Sequence, residues 1–311
     1  MSAALVSLMA FSSLPTDANG EVQQRRATGA YMNSLYDRIP PMMKLLTEAN
    51  GEQFFAAQGS YGVQPPAAPN WDQNWTRFGV PSTGAGNSWP AVDRANVTDI
   101  FMVTDNFSGP PAYTSQGPDP DPSVGGPIPW RVAEGQSTVW AGMFTVVVSS
   151  HEENTSGQPN YWIYEGWSDG GKLFDEATGA GSSRDFAAWR ERTTTQFNYT
   201  GWFDNLVKRV RENVPDAASR IKLIPVARTM VSVMENTPAS TLSADDWFAD
   251  DAPHGHDTLH LLAAMIVYST IFEETAPRPD VSGLDVNGVF MDNYDEIASH
   301  VFEVVTPYIG S

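Results

Sequence analysis

The chain has 311 residues, 41% hydrophobic and 18% charged, which is enough to bury a sizeable core and too apolar for a disordered chain. Its formal net charge of -19 argues against nucleic acid and anionic membranes as partners, because a polyanionic surface repels both. With no Cys, disulfides, thiolate catalysis and thiolate metal sites are excluded, although this does not fix the compartment. Taken in chain order, "AALVSLMAF" (Ala3–Phe11) reads as a buried first strand. The same residues fit the apolar part of a signal peptide, but no Lys or Arg precedes the run and no A-x-A site follows it. A helix is expected over Ser34–Ala49, broken or kinked at Pro40-Pro41. "EQFFAAQG" (Glu52–Gly59) is a second strand, and residues 60–97, rich in Pro, Gly, Asn and Trp, are a loop insertion. "VTDIFMVT" (Val97–Thr104) is a third strand, followed by a second insertion near 107–130. Further on come a helix over Val132–Val148, a fourth strand over Asn160–Trp167 and one or two helices over Arg184–Asn213. A fifth strand over Ile221–Ala227 precedes a short helix at Thr229–Glu235. The apolar "LHLLAAMIVYSTIF" reads as an amphipathic helix, and a last helix covers Asn293–Val305.

Strands alternating with helices predict a single α/β domain over residues 1–311 with a mostly parallel five-stranded sheet. Five strands fit the flavodoxin-like order, a three-layer α/β/α sandwich whose ligand crevice lies beyond the carboxyl ends of the strands. Ser12-Ser13, Gly59 to Gly62, Asp105-Asn106, Glu165 to Trp167 and the run Asp250–His260 follow the strands and so come first for chemistry.

That last run, "DDAPHGHDTLH", holds three of the five histidines. His254, His256 and His260 with a nearby Asp have the donor types of a nitrogen–oxygen metal site, but the H-E-x-x-H pattern is absent and Gly255 works against a continuous helix. A nucleophilic triad reads the same residues differently. A serine hydroxyl is a poor nucleophile until a neutral imidazole takes its proton, and a carboxylate fixes that imidazole's tautomer. Asp251 and His254 are three apart, so the carboxylate can fold back onto Nδ1 while Nε2 faces the crevice, with Ser13 at the end of the first strand across from it.

With Asp251 and His254 just ahead of an apolar helix and a serine after the first strand, the sequence resembles the SGNH, or GDSL-like, superfamily of esterases and lipases. "FSSL" (Phe11–Leu14) is similar to the family's G-D-S-L motif, with Phe11 and Ser12 where the family has Gly and Asp. "DDAPHGHDTLHLLAAMIVYSTIF" looks like its C-terminal D-x-x-H motif and helix, and "YWIYEGWSD" like the fourth strand of bacterial members. The resemblance implies an SGNH fold and ester hydrolysis through an acyl-enzyme, with Ser13 (or Ser12) as nucleophile, His254 as base and Asp251 orienting it. It further implies an oxyanion hole from the Gly after strand two, Gly59 or Gly62, and the Asn after strand three, Asn106. No cofactor is implied, and His256 and His260 become supporting groups at the surface or behind the site.

Trp71, Trp75, Trp89, Trp130, Trp167 and Trp247 fall in loops and could stack on sugar rings. With the polar, Pro-rich stretch 107–130, they point to an acetylated carbohydrate as the ester rather than a long-chain lipid. Two rival classes stand beside this reading: a metal-dependent hydrolase using His254, His256 and His260, and a catalytically inactive carbohydrate-binding module of the same fold.

Overall fold

In the computed structural model, residues 25–32, 36, 38–51, 53–61, 98–103, 139–154, 158–167, 186–191, 193–194, 199–249 and 254–309 are described. They form strand β1 (Arg25–Met32), helix α1 (Ile39–Ala49), β2 (Gln53–Tyr61), β3 (Asp99–Val103), α2 (Val139–Asn154) and β4 (Asn160–Tyr164). After these come α3 (Phe186–Glu191), α4 (Tyr199–Asn213), β5 (Ile221–Ile224), α5 (Val226–Asn236) and α6 (Ala244–Trp247). The chain continues through α7 (Asp257–Phe272), α8 (Gly288–Asp292) and α9 (Tyr294–Ile309). The expectation of an α/β chain with a parallel sheet agrees with this arrangement. No helix among the described residues is long and apolar enough to cross a membrane.

The strands pair in the order β2-β1-β3-β4-β5, each neighbour parallel. β3 and β4 are near-continuous apolar runs because both faces of the sheet are covered. Period-two alternation divides their side chains between two cores. Phe101, Val103, Trp162, Tyr164 and Ile224 pack with residues of α1, α5, α7 and α9. Ile100, Met102, Tyr161, Ile163, Ile221 and Leu223 pack with residues of α2 and α4.

Two sequence expectations change here, and a third lies outside the described residues. Ala3–Phe11 lies outside the described residues, and the strand that bonds to both β2 and β3 is Arg25–Met32. Pro40 does not break a helix but stands in the first turn of α1, where the missing N–H has no intrahelical partner to lose. The helix read as amphipathic, α7, is buried on all sides from Thr258 to Phe272. It lies against α1 and α9 and also touches β5, so it has no solvent face.

Candidate active site

The described residues just past the strands' carboxyl ends converge on one region. After β1, Tyr36 is buried, with its ring 5.6 Å from that of Phe101 and edge-on to Tyr164 at 5.2 Å. Its carbonyl accepts from Ile39 N–H at 2.9 Å, turning the chain into α1. Arg38 then donates from Nη1 to Asp257 Oδ1 at 2.8 Å. Tyr36 is therefore anchored to the end of β4 and Arg38 to the start of α7.

Asp257 belongs in the first turn of α7, where a carboxylate meets the positive end of the helix dipole. Its other oxygen accepts from Asp285 N–H at 2.9 Å, and Asn287 N–H donates to Thr258 Oγ1 at 2.8 Å. These bonds hold the 285–287 stretch across the same helix start.

Beyond β4 the chain turns at Gly166, whose φ of 64° lies in the left-handed region that favours glycine. Glu165 on one side of the turn is fully buried and is gripped by Arg228, which donates from Nε at 2.9 Å, Nη2 at 2.6 Å and its backbone N–H at 3.2 Å. Arg228 also reaches Asp204 at 2.9 Å and the Tyr308 hydroxyl at 2.9 Å. Burial pushes the Glu165 carboxyl up while Arg228 pulls it down. Through Arg228, Glu165 ties β4 to α5. Trp167, on the other side of the turn, is fully buried and meets the ring of His260 edge-on at 6.0 Å.

The histidine run opens on a narrow antiparallel bridge. Phe248 pairs with Gly255, Ala249 N–H donates to the His254 carbonyl at 2.7 Å, and His256 N–H donates to the Trp247 carbonyl at 2.9 Å. Trp247 and Phe248 are buried beneath it. This hairpin-like base displays His254, which is exposed, while His256 caps α7 and His260 is buried one turn along. His260 is thus a buried group behind the site rather than a surface one. Burial, with Arg38 second, pushes its pKa down to about 4.

Of the expected site residues, only His254 and Gly59 lie within the described chain. Ser12, Ser13, Gly62, Asn106 and Asp251 lie outside it. Gly59 does not follow the second strand but lies inside it: β2 runs on to Tyr61, and between the pairs Ala30↔Gln58 and Met32↔Tyr61 it carries one residue more than β1. A glycine within a strand at such a bulge needs no further role. Among the described residues no group of three His, Asp or Glu side chains converges as metal ligands, and His254, His256 and His260 do not form one. Trp167 and Trp247, two of the six tryptophans considered for stacking on sugars, are fully buried.

A further serine follows β1 in the sequence. Ser34 stands two residues after the end of β1 and two before Tyr36, in "MNSL" (Met32–Leu35), and residues 33–35 lie outside the described chain. A second serine–histidine contact occurs elsewhere, Ser232 Oγ with His300 Nε2 at 2.9 Å between α5 and α9. Comparison with protein families, curated proteins and solved structures finds no match.

Proposed function

We propose that the chain is a serine ester hydrolase of SGNH type with a flavodoxin-like, three-layer sheet, and that Ser34, rather than Ser13, is its nucleophile. The observation that carries the reading is the strand order. β1 lies between β2 and β3, so the sheet's order reverses at its carboxyl end, and such switch points are where open parallel sheets bind ligands. Ser34 follows that strand, and Arg38, four residues on, is bonded to Asp257, three residues past His254. "MNSL" keeps the Ser-Leu of G-D-S-L and has Asn where the family has Asp. Ser13 is expected as nucleophile because it follows Ala3–Phe11 and because "FSSL" resembles G-D-S-L; we assign the role instead to the serine that follows β1.

In this mechanism His254 removes the Ser34 proton as Oγ attacks the ester carbonyl, and Asp251 steadies the resulting imidazolium. Gly62, the residue after β2, and Asn106 supply donors to the oxyanion with the nucleophile's own N–H. His254 returns the proton to the departing alcohol. Water, deprotonated by the same imidazole, then releases the acid and restores the serine. With Trp167 and Trp247 committed to the core, the preference for a carbohydrate ester rests on Trp71, Trp75, Trp89 and Trp130 and on the polar 107–130 stretch. Hydrolysis of acetylated xylan compared with a long-chain p-nitrophenyl ester tests it.

The deciding experiment is mass spectrometry after a fluorophosphonate probe, with and without Ser34→Ala. Labelling of Ser34, lost in the variant together with turnover of p-nitrophenyl acetate, is expected. Labelling of Ser13 would return the nucleophile to the N-terminal motif. Labelling of Ser232 would move the chemistry to the α5–α9 contact. Inactivation by EDTA without any labelling would favour a metal-dependent hydrolase, and glycan binding without either would favour an inactive module.

A further inference from the structure

β5 is the last strand in the order β2-β1-β3-β4-β5, and the proposed chemistry makes no use of its outer edge. Glu165 N–H donates to the Ile224 carbonyl, so the peptide groups of Ile224 face β4. These groups alternate in direction along a strand, so those of Ile221 and Leu223 face outward. At Ile221 both are satisfied: its N–H donates to the Ala218 carbonyl, and its carbonyl accepts from Arg211 Nε at 2.8 Å. At Leu223 neither has a hydrogen-bond partner among the described residues, although the residue is 4% exposed. A buried peptide group without a partner is costly and calls for one. Against it lies a cavity of about 230 Å³ between α4 and the end of α9, with Asp204, Val207 and Arg211 on one wall and Pro307 and Tyr308 on the other.

The α4 wall carries its two charges at opposite ends. Asp204 accepts from Arg228, which lies past the end of β5, and keeps its side chain 53% exposed. Arg211 is fixed by its bond to Ile221 at the start of the strand. α4 therefore runs antiparallel to β5, and the two charges stand about 10 Å apart along the helix axis. An extended chain advances about 3.3 Å per residue, so about three residues span that interval.

We propose that this groove binds a short peptide with free ends, two or three residues long and antiparallel to β5, with its ammonium at Asp204, its carboxylate at Arg211 and a backbone unit paired with Leu223. Charge complementarity at the two ends selects this occupant. Directly opposite residues of an antiparallel pair exchange both N–H···O bonds, which are the two that Leu223 lacks. A zwitterion is neutral overall, so the net charge of -19 does not repel it. Leu223 lies between two helices, out of reach of a flat protein surface but within reach of one narrow chain. The cavity is smaller than most small-ligand sites, which favours small side chains.

Trialanine with free ends and trialanine blocked at both ends are titrated into the isotopically labelled full chain, with the Leu223 amide followed by NMR. The free form is expected to bind saturably and shift that amide, with the blocked form about fivefold weaker or more, the scale of an exposed ion pair. Each end has its own variant. Asp204→Asn should remove the preference for trialanine over its N-acetyl form, and Arg211→Gln the preference over its C-terminal amide. Val207→Phe fills the cavity and should abolish binding. Equal affinity for free and blocked forms overturns the proposal in favour of an internal strand segment. Binding that survives Val207→Phe places the ligand elsewhere and overturns it, as does no saturation up to about 10 mM. If Val207→Phe does not fold, the wild type decides: binding that leaves the Leu223 amide unshifted overturns the proposal. None of these outcomes depends on whether the chain hydrolyses esters.

Discussion

Single residues at this site are set by their burial. Glu165 and His260 both stand where a sequence reader would look for catalysis, and both are withdrawn from solvent. Glu165 stays because Arg228 satisfies it with three bonds, the condition under which a buried carboxylate is tolerable. His260 stays because it is neutral. The sign of its effect on stability follows. The unfolded chain takes up a proton near 6.5, whereas the folded ring resists until about 4. Stability attributable to this residue is therefore whole above pH 6.5 and falls as pH drops toward 4, by about 2 kcal/mol at pH 5. Urea unfolding of wild type and His260→Phe at pH 7 and pH 5 checks it: the variant should lose less stability on acidification by that amount.

At the level of elements, the His254 loop is controlled by the helix that follows it. α7 is buried from Thr258 to Phe272 against α1 and α9, and Gly255 lies directly on Leu259. Any side chain at 255 must push against Leu259 Cβ, which cannot rotate away. Gly255→Ala is expected to cost about 1–3 kcal/mol, the usual penalty for overpacking, and to lower ester turnover by displacing His254. Thermal unfolding and kinetics of that variant measure the two effects. α1 shows the same dependence on context. Its prolines look like breakers in a window starting at Ser34, but become starters once the helix begins at Ile39.

Over the whole molecule, 37 acidic residues face 18 basic ones, and the excess is self-repelling. Added salt shortens the Debye length from about 30 Å at 0.01 M to about 3 Å at 1 M, which relieves that repulsion. The melting temperature should therefore rise by several degrees between 10 mM and 1 M NaCl, measured by calorimetry at pH 7. A flat or falling dependence would mean that the charges are already locally compensated. The Arg228 cluster and the pair Arg220–Glu152, at 2.5 Å, are such compensated sites.

The amino-acid order alone determined the alternation of strands and helices, the apolar strand runs "DIFMV" and "NYWIY", and the prominence of Asp251 and His254. Those properties are local: they depend on side-chain period and on spacing within one loop. Only the tertiary structure decided which strand bonds to both β2 and β3. "RRATGAYM" has small residues and two arginines and no hydrophobic pattern to announce it, whereas "AALVSLMAF" has the pattern. The backbone hydrogen bonds that β1 makes to β2 and β3 are indifferent to side-chain type and join segments far apart in sequence, so no local window can weigh them. With β1 assigned, we place the proposed nucleophile at Ser34 rather than Ser13. The burial of α7 likewise turns His260 from one of three similar histidines into a group enclosed behind the site, because burial is a property of what packs around a helix and not of its sequence.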